Sequence, residues 1–245
     1  MTVPFDAFGP GVIVVTRTDV ANSTPVNIGY ANSFNLQFQG NIKELFGQNQ
    51  MPLDAARGTI KITGKATAAV LSGIAWNNVF FGDSFTSGGI QWNYQEKKTV
   101  TSGSVAALTN AGTFDADLGV TYFSSGLPLI KVASAPAVGQ YTQTGATYAM
   151  NSSDTGPVLV SYTSTVTTGQ TLSIVNQLLG YAPNFQLDYY TMRNNKALVV
   201  RLYQAQSASI NLPVKLEDFI MPEFEMHFFA NASGQIGNIY FPEVS

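Results

Sequence analysis

A period-two alternation of apolar and polar residues is the sequence feature that most constrains the fold of this chain. Over residues 34–39, phenylalanine or leucine alternates with asparagine or glutamine, and residues 59–63 alternate isoleucine with lysine or threonine. Side chains of a strand point alternately to the two faces of its sheet, so these segments present one apolar and one polar face. Similar runs, separated by glycine, proline and asparagine turns, occupy most of the chain and predict an all-β fold.

One segment departs from the strand pattern. Val70, Leu71 and Ile74 form an apolar stripe with helical spacing, and Gly82 follows where a helix would end. The spacing predicts one short helix over residues 70–81, which would cover one face of the sheet.

Two hairpins are predicted in the last third of the chain. The first joins residues 185–192 to 197–205 through Arg-Asn-Asn-Lys, and asparagine tolerates the positive φ of a tight turn. The second joins residues 219–230 to 235–241 through Asn-Ala-Ser-Gly. Strands near both ends of the chain, with one helix between them, favour a β-barrel or a sandwich.

Few charges are available to solvate the surface of this fold. Asp, Glu, Lys and Arg make up 11% of the 245 residues, against roughly 25% in an average globular protein. A neutral polar surface favours association between copies, although a neutral monomeric domain would have the same composition. Lys and Arg are not clustered, so a sequence-reading nucleic-acid binder is not expected.

Several protein classes are excluded by simple features of the sequence. It contains no cysteine, which rules out disulfides and thiolate metal sites. Its first residues show no basic stretch followed by an apolar one, so no signal peptide is predicted. No run approaches the ~20 apolar residues of a membrane span. We therefore expect a protein that is made in the cytoplasm and is not inserted in a membrane.

The composition and the spacing of turn residues change between residues 101 and 170. This stretch holds few charges and many short strand-like runs, punctuated by turn signals. We interpret it as an inserted β-sandwich-like region. The flanking segments, 1–100 and 171–245, would then form one discontinuous domain. A single continuous sheet is the alternative interpretation.

Catalytic chemistry has little support in the sequence. His227 is the only histidine, and on a strand it would share a face with Glu223 and Glu225. Zinc sites use three or four ligands, and no second histidine or cysteine exists here. Alternate strand positions also hold their side chains about 6–7 Å apart, which favours a polar acidic face over a metal or acid–base site. We predict no metal, no cofactor and no enzymatic activity.

Two weaker chemical patterns leave this interpretation unchanged. Residues 58–65 resemble a phosphate-binding loop, but five residues separate the glycines where the motif needs four, and Ala66 stands where Ser or Thr must reach Mg²⁺. Trp76 and Trp92 could stack on a sugar, but core or interface positions are favoured for both.

A long connection joins two predicted strands over residues 41–58. Its apolar residues, Leu45, Phe46, Met51 and Leu53, show no clear period and are too many for a disordered loop. An exposed apolar loop is expected to dock on another chain. A loop folded over its own core is the alternative.

Six short segments spread over most of the chain carry a family resemblance. They are ELFGQNQMPLDAARG at 44–58, KITGKA at 61–66, ADLGV at 116–120, VASAPA at 132–137, GQY at 139–141 and LEDFIMPEFE at 216–225. Together they resemble the major tail tube proteins of tailed bacteriophages, whose fold is similar to that of type VI secretion tubes.

The resemblance implies a structural virion protein with a tail-tube β-barrel or sandwich, one flanking helix and a small inserted β region. Subunits of that family form hexameric rings, and stacked rings make a hollow tube. The implied partners are further copies of the chain, a tape-measure protein in the lumen, tail terminator and baseplate or tip proteins, and DNA that passes without sequence-specific binding. A sheath protein is added if the tail contracts, which the sequence leaves open. The implied location is the phage tail, assembled in the host cytoplasm.

If the chain forms a tube, one group of residues is expected to line the lumen and another to make contacts between rings. Lumen-facing positions should be neutral or acidic, because cations would hold DNA by counterion release. The lumen candidates come from two alternating strands: Gln37, Gln39, Asn41, Glu223 and Glu225. Their apolar neighbours are expected to pack toward the helix: Phe34, Leu36, Phe38, Phe224, Met226 and Phe228. The candidates for ring-to-ring contact lie in the long connection: Leu45, Phe46, Gln48, Asn49, Met51, Leu53 and Arg57.

Two other functions stay open on the sequence. A capsid decoration protein or a minor tail protein would show the same low charge and strand-rich texture. A carbohydrate-binding β-sandwich would be a monomer and would use Trp76 or Trp92.

Overall fold

The computed structural model describes residues 11–70, 72–194, 196–214, 216–217 and 219–241. These residues are mostly β, with one short helix, as the alternation predicts. The chain divides into two compact units. We call Met1–Ser84 with Ile174–Ser245 the barrel unit, and Phe85–Ser173 the insert unit.

Fourteen strands occur in the described residues, seven in each unit. The strands of the barrel unit are β1 Gly11–Arg17, β2 Val26–Phe46, β3 Pro52–Ala68, β11 Phe185–Arg193, β12 Lys196–Asn211, β13 Glu223–Phe228 and β14 Gly237–Tyr240. The strands of the insert unit are β4 Phe85–Thr101, β5 Ser104–Val105, β6 Phe114–Tyr122, β7 Ile130–Lys131, β8 Gln140–Thr144, β9 Thr147–Met150 and β10 Gly156–Leu172.

The sheet of the barrel unit closes almost completely on itself. Its strand order is β11-β1-β2-β3-β13-β12-β14, and β12 pairs back to β11. β12 can close the ring because its first half pairs with β11 and its second half pairs with β13. A nearly closed sheet leaves few strand edges open to unwanted pairing.

The first predicted hairpin is confirmed and the second is wrong. β11 and β12 pair directly, and Arg193 opposite Lys196 closes their turn. β13 and β14 instead both pair with β12, one after the other along the same edge. The residues between them do form a turn, in which the Gly234 amide donates to the Asn231 carbonyl at 2.9 Å. The chain continues in the same direction after this turn. β13 and β14 therefore lie end to end beside β12 and do not form a hairpin.

Alternate residues of the barrel strands fill a hydrophobic core. Val15 on β1 and Leu187 on β11 are fully buried in it, together with Phe224 and Met226 on β13. Glu225, which lies between Phe224 and Met226, is exposed. The barrel therefore shows the one-sided burial that the period-two pattern predicts.

The helix is shorter than the predicted 70–81. It consists of α1 Gly73–Trp76 followed by a π-helical turn, Asn77–Phe81. The helix begins after Ser72, whose Oγ accepts a hydrogen bond from the Ala75 amide at 3.4 Å and so caps the first turn. It ends at Gly82, whose φ of 71° is left-handed, as glycine favours at this position.

The helix covers the barrel core, but with other residues than predicted. Ala75 and Val79 are the helical residues buried in the core cluster. Val70 and Ile74, on which the prediction was based, are 53% and 50% exposed, and Leu71 lies outside the described residues. Among the described residues, no helix has the length and apolarity that crossing a membrane requires.

The insert unit is a second seven-stranded sheet, with the order β6-β10-β4-β5-β9-β8-β7 and a core of its own. Its first boundary lies earlier than the predicted residue 101. β4 pairs with β10 from Phe85 opposite Leu172 to Val100 opposite Gly156. Because these hydrogen bonds tie residues 85–100 to the insert, they cannot belong to the barrel sheet.

A buried carboxylate organises the core of the insert unit. The Asp117 side chain is 5% exposed. It accepts hydrogen bonds from Lys131 Nζ, the Tyr141 and Tyr148 hydroxyls and the Gly119 amide at 2.8–3.0 Å. Burial opposes its charged form, but these donors outweigh burial and lower the pKa of Asp117. Burial and the same carboxylate raise the pKa of both tyrosines.

Candidate assembly surfaces

β2 and β3 continue beyond the barrel as a two-stranded ribbon. Their pairing extends to Phe46 opposite Pro52, whereas β13 accompanies β3 only as far as Ile62. Every residue from Phe38 to Lys61 is exposed. We call residues 38–61 the arm.

The predicted irregular connection over residues 41–58 is mostly strand. Only residues 47–51 connect β2 to β3. The sequence pattern conceals these strands because neither face of the arm is buried, so no alternation is required there. A register shift between Gly40 and Ile42 breaks the period further.

The arm contains all the residues predicted for ring-to-ring contact. Three lie on the paired strands near the tip, three lie in the turn and one lies further back: Leu45, Phe46 and Leu53, then Gln48, Asn49 and Met51, then Arg57. The apolar residues among them are 57–79% exposed. The structure brings these predicted residues together on a single projecting element.

Three further apolar residues of the arm were not predicted as contact residues. Phe38, Ile42 and Ile60 are 52–65% exposed and line a shallow open groove with Gly40 and Arg57. The expectation that Phe38 packs toward the helix is wrong, because its position on β2 lies past the end of the core. The alternation at residues 34–39 gives no signal of where the core ends.

The arm has two unpaired edges in the described part of the chain. β1 pairs with β2 only up to Ala31, and β13 pairs with β3 only up to Ile62. Exposed edges with apolar side chains are templates for pairing with another chain. A lone two-stranded ribbon is also only marginally stable in water. The arm therefore presents a template on which another chain can pair.

A polar face covers the outside of four neighbouring barrel strands. Its rows run across β2, β3, β13 and β12: Ser33-Thr67-Glu223-Asn211, Asn35-Lys65-Glu225-Ser209 and Gln37-Thr63-His227-Gln206. Directly paired residues point to the same side of a sheet, so these side chains form one surface. We call these twelve residues the polar face.

Three of the five residues predicted for a lumen lie on the polar face: Gln37, Glu223 and Glu225. Gln39 lies one row nearer to the tip of the arm, opposite Lys61. Asn41 lies on the arm itself, at the register shift. The structure therefore brings three of these residues together and places the other two on the arm.

The polar face carries two carboxylates and one ammonium group. Lys65 Nζ lies 3.3 Å from Glu223 Oε2, and their side chains are 61% and 34% exposed. An exposed pair of this kind contributes only about 0–1 kcal/mol. Ser209 Oγ donates to Glu225 Oε2 at 3.4 Å. Lys65 was not predicted as part of this surface, because its carboxylate partners lie on a strand that is distant in the chain.

His227 lies on the polar face without a metal-binding cluster around it. It is exposed and pairs with Thr63 on one side and Gln206 on the other. Throughout the residues that the structure describes, no three His, Asp or Glu side chains are placed to hold a metal ion. The face can present hydrogen-bond donors and acceptors to a partner.

The two tryptophans occupy different environments. Trp76 is half-buried and packs against the barrel core. Trp92, on β4 of the insert unit, is 67% exposed. Trp76 thus serves the core, whereas Trp92 belongs to a surface.

Comparison with known proteins assigns no family: no protein-family model matches the chain, and no curated protein matches it.

Proposed function

We propose that this chain is a structural subunit of a phage tail tube, which assembles into stacked hexameric rings around a lumen. The arm is the observation that carries this proposal. It holds seven exposed apolar side chains on a ribbon with unpaired edges. In a solitary subunit the apolar side chains of this ribbon stay exposed to water and add no stability. In a polymer each arm is covered by a neighbouring copy. The tail-tube resemblance of the sequence indicates which kind of polymer this is.

A single arm contact stabilises an assembly only marginally. Complete burial of one apolar side chain contributes about 1.5–3 kcal/mol. The seven large apolar side chains of the arm are 52–79% exposed, so covering them contributes on the order of 7–13 kcal/mol. Association costs about 4–15 kcal/mol in lost motion. One arm contact therefore gives little net affinity, and the ring and stack of this proposal increase it because each copy makes several contacts.

The polar face is the surface that we assign to the lumen. Its two carboxylates, Glu223 and Glu225, outnumber its single cation, Lys65. A wall of amides, hydroxyls and a slight negative charge releases few counterions from DNA and lets it pass. In this proposal the lumen also holds a tape-measure protein, and terminator and baseplate or tip proteins close the two ends of the tube.

Electron microscopy of the purified full-length chain, examined over a range of concentrations, tests the proposal. We expect long hollow tubes built from sixfold rings. A chain that sediments as a monomer even at high concentration would contradict it.

A pair of matched variants tests the role of the arm. Leu45→Asp with Phe46→Asp places two charges on exposed arm residues and should prevent tube formation. Leu127→Asp with Val138→Asp makes the same chemical change at residues that are 63% and 65% exposed in the insert unit. Tubes should persist in this control. If both variants assembled equally well, the arm would not be part of the interface between subunits.

A further inference from the structure

Three residues of β4 form an exposed row on the insert unit. Ile90, Trp92 and Tyr94 alternate along the strand and are 66%, 67% and 69% exposed. The Trp92 and Tyr94 rings meet edge to face, with centroids 6.3 Å apart. Asn93, between them, is half-buried, and its Nδ2 donates to Ser164 Oγ at 2.8 Å. We call Ile90, Trp92 and Tyr94 the β4 row.

Hydroxyl groups and a carboxylate border the β4 row. Thr163 and Thr165 of β10 pair directly with Trp92 and Ile90, so their side chains stand beside the row on the same face. Thr163 Oγ1 donates to Asp115 Oδ2, on β6, at 2.8 Å. An indole, two hydroxyls and a carboxylate therefore lie side by side across three strands.

Hydrogen bonds hold the backbone beneath the row in place. Asn110 Nδ2 donates to Asn93 Oδ1 at 2.8 Å. The Gln95 amide donates to Ser161 Oγ at 3.1 Å, at a position where the φ of Gln95 is 54°. These contacts fix the strand directly after Trp92, so little order has to be gained there when a ligand binds.

We propose that the β4 row and its border bind a neutral oligosaccharide. Flat aromatic faces fit the apolar C–H side of a pyranose ring, and the bordering hydroxyls and carboxylate are suited to the hydroxyls of the sugar. Asp115 is the only formal charge among these residues, and the neighbouring cation, Lys97, lies over the Phe123 ring at 3.7 Å. The charge of the surface therefore suits a neutral ligand and disfavours an anionic one.

A sugar also suits this surface better than an apolar protein partner. An apolar partner would bury the Asp115 carboxylate without new hydrogen-bond partners, which is costly. The Thr163 and Thr165 hydroxyls already donate to Asp115 Oδ2 and the Thr113 carbonyl, and their oxygens can still accept from a ligand. A sugar supplies those partners. The inference rests on the insert unit alone and is independent of tube assembly.

Isothermal titration calorimetry of the full-length chain tests the proposal. The probes are cellohexaose, maltohexaose, chitohexaose and mannohexaose, each at about 5 mM because sites of this size bind weakly. At least one should bind saturably. We expect Trp92→Ala to weaken its binding at least tenfold, and Tyr94→Ala and Thr163→Val to weaken it several-fold.

Tyr30→Ala is the matched control, since Tyr30 is 64% exposed on the barrel unit. It should bind the sugar like the unmodified chain. Circular dichroism shows whether each variant is folded, and Thr163→Val, which preserves the side-chain shape, covers the case in which Trp92→Ala does not fold. No binding of any probe, or full binding by folded Trp92→Ala or Thr163→Val, would overturn the proposal. Tube formation is scored separately by electron microscopy, so the two proposals stand or fall independently.

Discussion

Phe38 and Ile62 are paired directly across β2 and β3, yet Ile62 is 6% exposed and Phe38 is 55% exposed. Ile62 has Phe228 of β13 beside it on its other side. Phe38 lies on the open side of β2, with no strand partner beyond it in the described residues. The barrel core ends at this pair, and the same two strands continue from it as the arm.

Two isoleucines on the same face of β3 should therefore respond differently to truncation. Ile62→Ala should destabilise the unassembled chain by about 2–5 kcal/mol, because it leaves a cavity in the core. Ile60→Ala, at a residue that is 52% exposed, should cost less than about 1 kcal/mol in the unassembled chain. It should nevertheless weaken assembly. Urea unfolding measures the first effect and sedimentation the second; an Ile60→Ala chain that assembles normally would contradict this division.

Gly82 ends the helix in a crowded place. Its φ is 71°, and an added Cβ would lie 2.5 Å from the Tyr181 hydroxyl and 2.9 Å from Pro183. Gly82→Ala should cost more than the ~1–2 kcal/mol of left-handed strain alone. Gly234→Ala is the control, because Gly234 has a φ of 76° and no atom within 4 Å of an added Cβ. Thermal unfolding compares the two, and equal losses would show that the crowding has no effect.

The insert unit should lose stability in acid. Burial opposes the charge of Glu96, but hydrogen bonds from Lys98, Thr109 and Tyr162 outweigh it and lower the pKa of Glu96 from 4.5 to about 2. Because the folded pKa lies below the unfolded one, this stabilisation is complete above pH 4.5 and is lost as the pH falls toward about 2. The lowered pKa of Asp117 acts in the same direction.

Hydrogen exchange of the β10 amides measures this loss within the insert unit. Protection should fall as the pH is lowered through this window, after correction for the intrinsic pH dependence of exchange. Glu96→Gln should show a shallower fall, because only Asp117 then contributes. The same slope in both chains would show that Glu96 is not the group responsible.

Reversing the charge of the polar face tests its place in the lumen. Tubes assembled from Glu223→Lys/Glu225→Lys protein with a short DNA duplex should retain DNA at low salt and release it at high salt. Tubes of the unmodified chain should retain none. The retained DNA should be protected from nuclease, because the tube wall surrounds it. Retained DNA that nuclease digests would place the polar face on the outside of the tube.

The sequence predicts the barrel well where one face of a strand is buried. The alternation around Phe224 and Met226 gives the inward side correctly, and the same rule places Glu223 and Glu225 on the outer surface. The turn at 193–196 was also predictable, because asparagine is a local signal. These predictions succeed because their physical causes act within a few residues.

The features that the sequence did not predict depend on contacts between distant segments. Residues 85–100 belong to the insert because they pair with β10, more than fifty residues later. Lys65 joins the polar face through pairing with Glu225, on a strand far along the chain. The strands of the arm were missed because no core imposes a period on them. Local composition does not show which strands pair with each other or where a core ends.

Hydrogen exchange of the arm, compared between the unassembled chain and the assembled tube, tests the central claim most directly. The amides of residues 38–61 should exchange rapidly in the unassembled chain, where the ribbon is uncovered. In the tube they should become strongly protected, because a neighbouring copy pairs with the edges and covers the apolar side chains. Tubes in which these amides still exchange as fast as in the unassembled chain would contradict the account.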